Sequence, residues 1–225
     1  MHRARNFQGK KEMREKRYTS ALMRLFLLGL LCFPIACAVN PVTGEHQLML
    51  LSEEEEIRLG QETDSRVVSE YGIYRDDRLT GYLDGVGKRL AKISHRPGLP
   101  YEFKVLDTPV VNAFAVPGGY VYFTRGILAN LNSEAELAGV MGHELGHITA
   151  RHSAQQYSRA QLAQLTLGSA MMFSQTLQVL APLAQMGVSM LFLSYSRDNE
   201  READDLGVAY SSQAGYDATH MALFF

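Results

Sequence analysis

The stretch Ser133-Glu-Ala-Glu136-Leu-Ala-Gly-Val-Met-Gly-His143-Glu144-Leu-Gly-His147 decides how this chain is read. Ser133 followed three residues later by Glu136 is a capping-box signature, so the segment opens a helix. On a helix, positions i and i+4 share a face, and His143 and His147 can therefore present two imidazole nitrogens to one zinc ion. Glu144 lies about 100° around the axis from His143, beside such an ion and not on it. From there it can take a proton from metal-activated water, the general-base role in metal-assisted hydrolysis. Two surface histidines and a solvated glutamate would be the plainer reading, but it leaves the apolar neighbours Val140, Met141 and Ile148 unexplained.

Two histidines leave zinc under-coordinated, so a third protein ligand is required. A Gly and a third His shortly downstream, the metzincin arrangement, is excluded: Ala150 and Ser153 stand at those places and His152 comes one residue early. His152 is expected at the surface or supporting a ligand, not as a ligand itself. The other solution is a carboxylate from a later helix. In Tyr195-Ser-Arg-Asp-Asn-Glu200-Arg-Glu202-Ala-Asp204, helical phase puts Glu200 and Asp204 on one face and Glu202 on roughly the opposite, solvated side. A ligating Glu with a carboxylate one turn later suits zinc, since Asp204 can orient an imidazole. A solvated charged face, with Arg197 and Arg201 answering Glu200 and Asp204, fits the spacing equally well.

Around this centre, 225 residues that are 46% hydrophobic and 20% charged suit one well-packed domain and exclude a disordered chain. A formal net charge of −2 argues against a nucleic-acid partner, which needs a dominantly basic surface. Both cysteines, Cys32 and Cys37, sit in an N-terminal apolar run, so no disulfide framework or cysteine metal site is available to the folded part. Ser52 with Glu55 opens a helix to about Tyr71, and a second helix covers Arg78 to Ile93. Tyr101 to Leu106 alternates, and Val110 to Ala115 and Tyr120 to Thr124 are short β-branched or aromatic runs around Pro117-Gly-Gly119. The fold class is α+β, predominantly α-helical, with a small antiparallel sheet packed on the helix of His143 and His147. From Ala160 to Ser196 no residue is charged, but Gln161, Gln164, Gln175, Gln178, Gln185 and Pro182 favour two amphipathic helices over a membrane hairpin.

The N-terminus reads as an address. Residues 1–24 are basic, an uncharged run follows from Leu25, and Ala36 precedes Cys37. Residues 1–37 thus resemble a bacterial lipoprotein export segment in which Cys37 becomes the lipidated first residue, although Pro34 stands where a Leu-like residue is expected. A start at Met23 would give a compact signal and sets residues 1–22 apart as foreign to the natural protein. Residues 38–60 are read as a tether, with turn chemistry at Asn40-Pro-Val-Thr-Gly44, and the start of the first helix.

Four features together resemble the M48 peptidases, the Ste24-like gluzincins, and most closely their bacterial exported, lipoprotein-like members. They are Asn40-Pro-Val-Thr-Gly44; Asn112-Ala-Phe-Ala-Val-Pro-Gly-Gly119 followed by Tyr-Val-Tyr-Phe-Thr-Arg-Gly126; His143-Glu-Leu-Gly-His147; and Tyr195-Ser-Arg through Glu200 and Asp204. The resemblance implies one Zn2+ per chain on His143, His147 and Glu200, with Glu144 as the base and Asp204 supporting a ligand. It also implies that the strand of Asn112, Ala113, Phe114 and Ala115 lines the cleft and offers its edge to extended substrate backbone. Residues 61–225 become the peptidase domain, read as ending before a family segment that carries a His-Pro pair and an Arg. His220 does not fill that place, and Tyr195 and Tyr210 are the residue types left to stabilise an oxyanion. The implied function is a zinc metalloendopeptidase acting on unfolded or misassembled envelope polypeptides. Its implied location is the periplasmic face of the outer membrane through Cys37, or the soluble periplasm. The alternative is a non-catalytic, zinc-stapled, chaperone-like envelope assembly factor.

Overall fold

A mixed sheet of three strands separates two layers of helices in the computed structural model, which describes residues 37–171 and 195–219. Helix α1 (Glu53–Tyr71) begins at Ser52, whose side chain accepts from the Glu55 N–H while Glu55 accepts from the Ser52 N–H. Helix α2 (Asp77–Ile93) is capped by Asp76, which accepts from the N–H groups of Arg78 and Leu79. Both starts follow from residues that satisfy N–H groups a helix leaves bare. The strands are β3 (Glu102–Leu106), β4 (Ala113–Val116) and β5 (Tyr120–Thr124), followed by the single turn α3 (Arg125–Leu128), then α4 (Glu134–Thr149), α5 (His152–Met171) and α6 (Arg197–Gln213).

The sheet corrects one expectation. β4 and β5 form the antiparallel pair predicted around Pro117–Gly119, but β5 is central and β3 pairs with its other side in parallel, from Glu102 opposite Tyr120 to Leu106 opposite Thr124. The reason lies in burial. Every residue of β5 is buried, as a strand with neighbours on both edges and helices on both faces demands, whereas β4 begins half-buried and takes the edge. The sheet face carrying Phe103, Val105, Ala115, Val121 and Phe123 packs on α2 and α4. The opposite face, with Leu106, Val116, Tyr120 and Tyr122, is covered by Val67 and Tyr71 of α1.

Helix α6 lies so close against α4 that two positions of α4 have no room for a side chain. A Cβ on Gly142 would come within 2.9 Å of the Gly207 carbonyl oxygen, and one on Gly146 within 3.0 Å of Ala203 Cα. These absent side chains bring the acidic segment of α6 within reach of the α4 histidines. At its C-terminus α4 ends on Arg151, whose φ of 61° is a left-handed conformation that turns the chain sharply into α5.

Residues read as a tether are part of the fold. β1 (Cys37–Val39) and β2 (His46–Leu48) pair antiparallel, and the turn between them is closed by Asn40, whose Oδ1 accepts from the Val42 N–H at 2.8 Å. Asn40 and Met49 are buried, and Leu50 N–H donates to Ser158 Oγ on α5 at 2.9 Å. Residues 1–36 of the export segment, the second of the two amphipathic helices expected before Ser196, and His220 lie outside the described residues. Among the described residues, no helix is long and apolar enough to cross a membrane.

Candidate metal centre and active site

Ser133 Oγ accepts from the Glu136 N–H, so α4 starts where the capping pair placed it, although Glu136 returns its bond to the Asn132 N–H. Its buried face then carries His143 and His147 inward, with Met141 and Leu145 fully buried in the core below. His143 Nε2 and His147 Nε2 stand 3.0 Å apart. Glu200 Oε2, from α6, is 3.5 Å from the first and 3.9 Å from the second. Among the described residues these three form a group able to hold a metal ion. A tetrahedral zinc with ligands at about 2.1 Å sets them about 3.4 Å apart, so the triangle fits that ion. Two neutral nitrogens and one carboxylate, with a side open for water or substrate, is also a donor set of hydrolytic zinc sites.

Asp204, one turn beyond Glu200, places Oδ1 2.9 Å from His143 Nδ1. There the carboxylate can accept a hydrogen bond from Nδ1–H, the tautomer in which Nε2 carries the lone pair. Glu144 is buried on the same helix. Burial, helped by the Glu200 carboxylate, pushes its pKa up to about 8, while the Ala115 backbone N–H bonds the carboxylate and works against the rise. In the register of β4, Ala115 sits opposite Val121 of β5, and it is this edge strand that reaches the site. Burial, then His143 and His152, hold His147 down at about 2, so its ring stays neutral.

The predicted strand residues divide. Ala113 and Ala115 face the side on which α4 packs, while Phe114 stacks on Tyr122 at 4.9 Å on the opposite face, against the α1 layer. The Asn112 backbone is tied to Thr124, its N–H donating to Thr124 Oγ1 and its carbonyl accepting from the Thr124 N–H. The tyrosines considered as oxyanion donors have other work. Tyr195 OH pairs with Ser153 Oγ at 2.6 Å while its ring stacks on His147 at 4.1 Å. Tyr210 is buried on Thr149 and His95.

One of the two places expected for His152 is the one it takes: it is 3% exposed, with its Nδ1 3.0 Å from His147 Nδ1, beside a candidate ligand and not on the surface. Glu202 does not face solvent alone: it meets His152 Nε2 at 3.1 Å and Asn40 Nδ2 at 3.3 Å. The side of α6 opposite Glu200 is covered by the first turn of α5 and the β1–β2 hairpin, which helical phase alone does not reveal. A buried cluster was also unforeseen. Glu56, 1% exposed, accepts from Arg96 Nη1 at 2.9 Å and from Arg151 Nε at 3.0 Å, joining α1 to the end of α4. Its sequence signal was a carboxylate on the inward face of α1, one turn before the buried Gly60.

Comparison with known proteins adds to this geometry. The family described as Peptidase family M48 matches residues 77–225. The mitochondrial metalloendopeptidase OMA1 of Schizosaccharomyces pombe is 34% identical, over 79% of this chain and 53% of its own length. The beta-barrel assembly-enhancing protease of Yersinia pestis is 30% identical, over 82% of this chain and 40% of its own. The OMA1 metalloendopeptidase of Arabidopsis thaliana is 37% identical over 58% of this chain and 26% of its own. The chain spans about half the length of these relatives or less.

Proposed function

The chain belongs to peptidase family M48, and from that premise we propose that it is a zinc metalloendopeptidase whose ligands are His143, His147 and Glu200. The observation that carries the reading is the convergence of those three donor atoms beside a buried Glu144 at the edge of β4. Zinc held there supplies a Lewis acid that acidifies water and polarises the scissile carbonyl. Glu144 takes the proton of the attacking water and passes it to the leaving amine. Asp204 orients His143. An extended substrate adds to the β4 edge, where backbone hydrogen bonds fix its register past Glu144.

We infer unfolded or misassembled envelope polypeptides as its substrates, a reading to which the name of one relative, a beta-barrel assembly-enhancing protease, lends support. We place the protein at the membrane through a lipid on Cys37, where β1 begins. In a Gram-negative host, Cys37→Ser should move it from the membrane pellet to the soluble periplasmic fraction or leave it unprocessed. Normal processing with unchanged membrane association would refute that anchor.

The test of the activity is metal analysis with casein cleavage, wild type against Glu144→Gln. Both proteins should carry about one zinc per chain. The variant should lose cleavage by about 10²–10⁴-fold, the usual worth of a general base. A zinc-loaded wild type that cleaves nothing would favour the non-catalytic assembly factor. Loss of zinc in the variant would overturn the role given to Glu144.

A further inference from the structure

Behind His147 runs a line of hydrogen bonds that the metal triad does not use. His147 Nδ1 meets His152 Nδ1 at 3.0 Å, His152 Nε2 meets Glu202 Oε2 at 3.1 Å, and Glu202 Oε1 meets Asn40 Nδ2 at 3.3 Å. The partners come from three elements: the first residue of α5, the middle of α6, and the turn after β1.

The direction of every bond can be read from the far end. Asn40 Oδ1 is taken by the Val42 N–H at 2.8 Å and the Thr43 N–H at 3.4 Å, so its Nδ2 must be the atom facing Glu202, as donor. An ionised Glu202 only accepts, so His152 Nε2 carries the hydrogen that points to it. In neutral His152 the lone pair is then on Nδ1, and the hydrogen between the two rings belongs to His147 Nδ1. That leaves His147 Nε2 with a free lone pair, and Nε2 is the atom facing His143 Nε2 and Glu200 Oε2. Glu202 thus sets a tautomer two hydrogen bonds away, and the hairpin turn holds Glu202 in place through Asn40.

The arrangement is built into the fold. His147 and His152 are each 3% exposed. The left-handed Arg151 folds the chain back so that His152 lies beside His147, and Arg151 is itself held by Glu56 and by the Leu51 carbonyl. Tyr195 fixes the face of the same His147 ring that His152 fixes at its edge.

We propose that His152 and Glu202, locked by Asn40, are positioning residues for His147: they set its ring and its tautomer so that Nε2 is offered to the metal. The inference rests on the reading of His147 as a ligand. It makes the β1–β2 hairpin part of the site, although the hairpin lies outside the residues 77–225 that the family matches.

The test measures zinc affinity by competition with a chromophoric chelator, the visible spectrum of the cobalt-substituted protein, and the melting temperature of metal-free protein. His152→Leu fills the space but accepts no hydrogen bond. His152→Asn keeps an acceptor near the place of Nδ1. We expect His152→Leu to bind zinc about 10–100-fold more weakly. His152→Asn should recover most of that loss, and Glu202→Gln should fall between, with the metal-free melting temperatures alike. His147→Ala serves as reference and should abolish tight binding. If His147→Ala binds weakly while His152→Leu binds as wild type does, the positioning role is wrong and the metal site stands. If His147→Ala keeps wild-type affinity, the metal site itself is wrong. Equal losses for His152→Leu and His152→Asn, each with a lowered metal-free melting temperature, would reduce the line to packing and overturn the proposal.

Discussion

The two histidines of α4 are supported in different ways. His143 leans on one carboxylate, Asp204, whose side chain is 53% exposed and which belongs to the same helix as Glu200. His147 leans inward, on a buried histidine that is followed by Glu202 and Asn40 from two further elements. One flank is a short span within a single helix. The other ties together the ends of the domain. The difference teaches where robustness sits: the exposed flank can be perturbed with local effect, whereas the buried flank shares its supports with the fold.

The largest effect should come from the corner both flanks share. Glu200→Ala leaves two histidines and water, and the protein should be essentially zinc-free after mild chelation, as atomic absorption would show. Retained stoichiometric zinc would mean that the two histidines hold the metal without Glu200. Next is Glu56, behind the buried flank. Glu56→Gln leaves the buried Arg151 without its carboxylate and Arg96 with Glu53 alone, and should cost about 3 kcal/mol, read as a fall in denaturation midpoint. Zinc affinity should fall with it, because Arg151 shapes the turn that carries His152; an unchanged affinity would separate that turn from the site. Asp204→Ala, on the exposed flank, should weaken zinc by about 10–100-fold and leave metal-free stability near wild type. A large loss of stability there would erase the contrast between flanks. Smallest of all is Arg201→Ala. Arg201 pairs with Asp198 along the solvent face of α6, and its loss should change stability by about 0.5 kcal/mol or less, with zinc unaffected.

The spacings of the exposed flank lie within helices, i and i+4 on α4 and i and i+4 on α6, and helical phase turns such numbers directly into geometry. On α6 they fitted a solvated charged face equally well, and it was the family resemblance that singled out Glu200 and Asp204. The caps at Ser52 and Ser133 were legible from spacing. The buried flank was not, because Asn40, His152 and Glu202 meet only through the turn at Arg151 and the closure of the hairpin, and no periodicity relates them. Helical phase even misled at Glu202, placing it opposite Glu200 correctly but leaving unseen the hairpin that covers that side. The sheet order failed similarly. The alternation of Tyr101 to Leu106 marked a strand, but only the complete burial of β5 says which strand takes the middle.

The seam of Gly142 and Gly146 against Ala203 and Gly207 has a consequence in time as well as in space. Glu200 follows the histidines by more than fifty residues of chain, so it arrives only when α6 has seated on that seam. Before then α4 offers two histidines and no third donor, and a metal ion can dissociate as readily as it comes. Closing so long a loop is among the slower contacts a nascent chain makes. On the proposed ligand set, tight metal capture requires the docking of α6. The glycine seam therefore governs when the third donor becomes available.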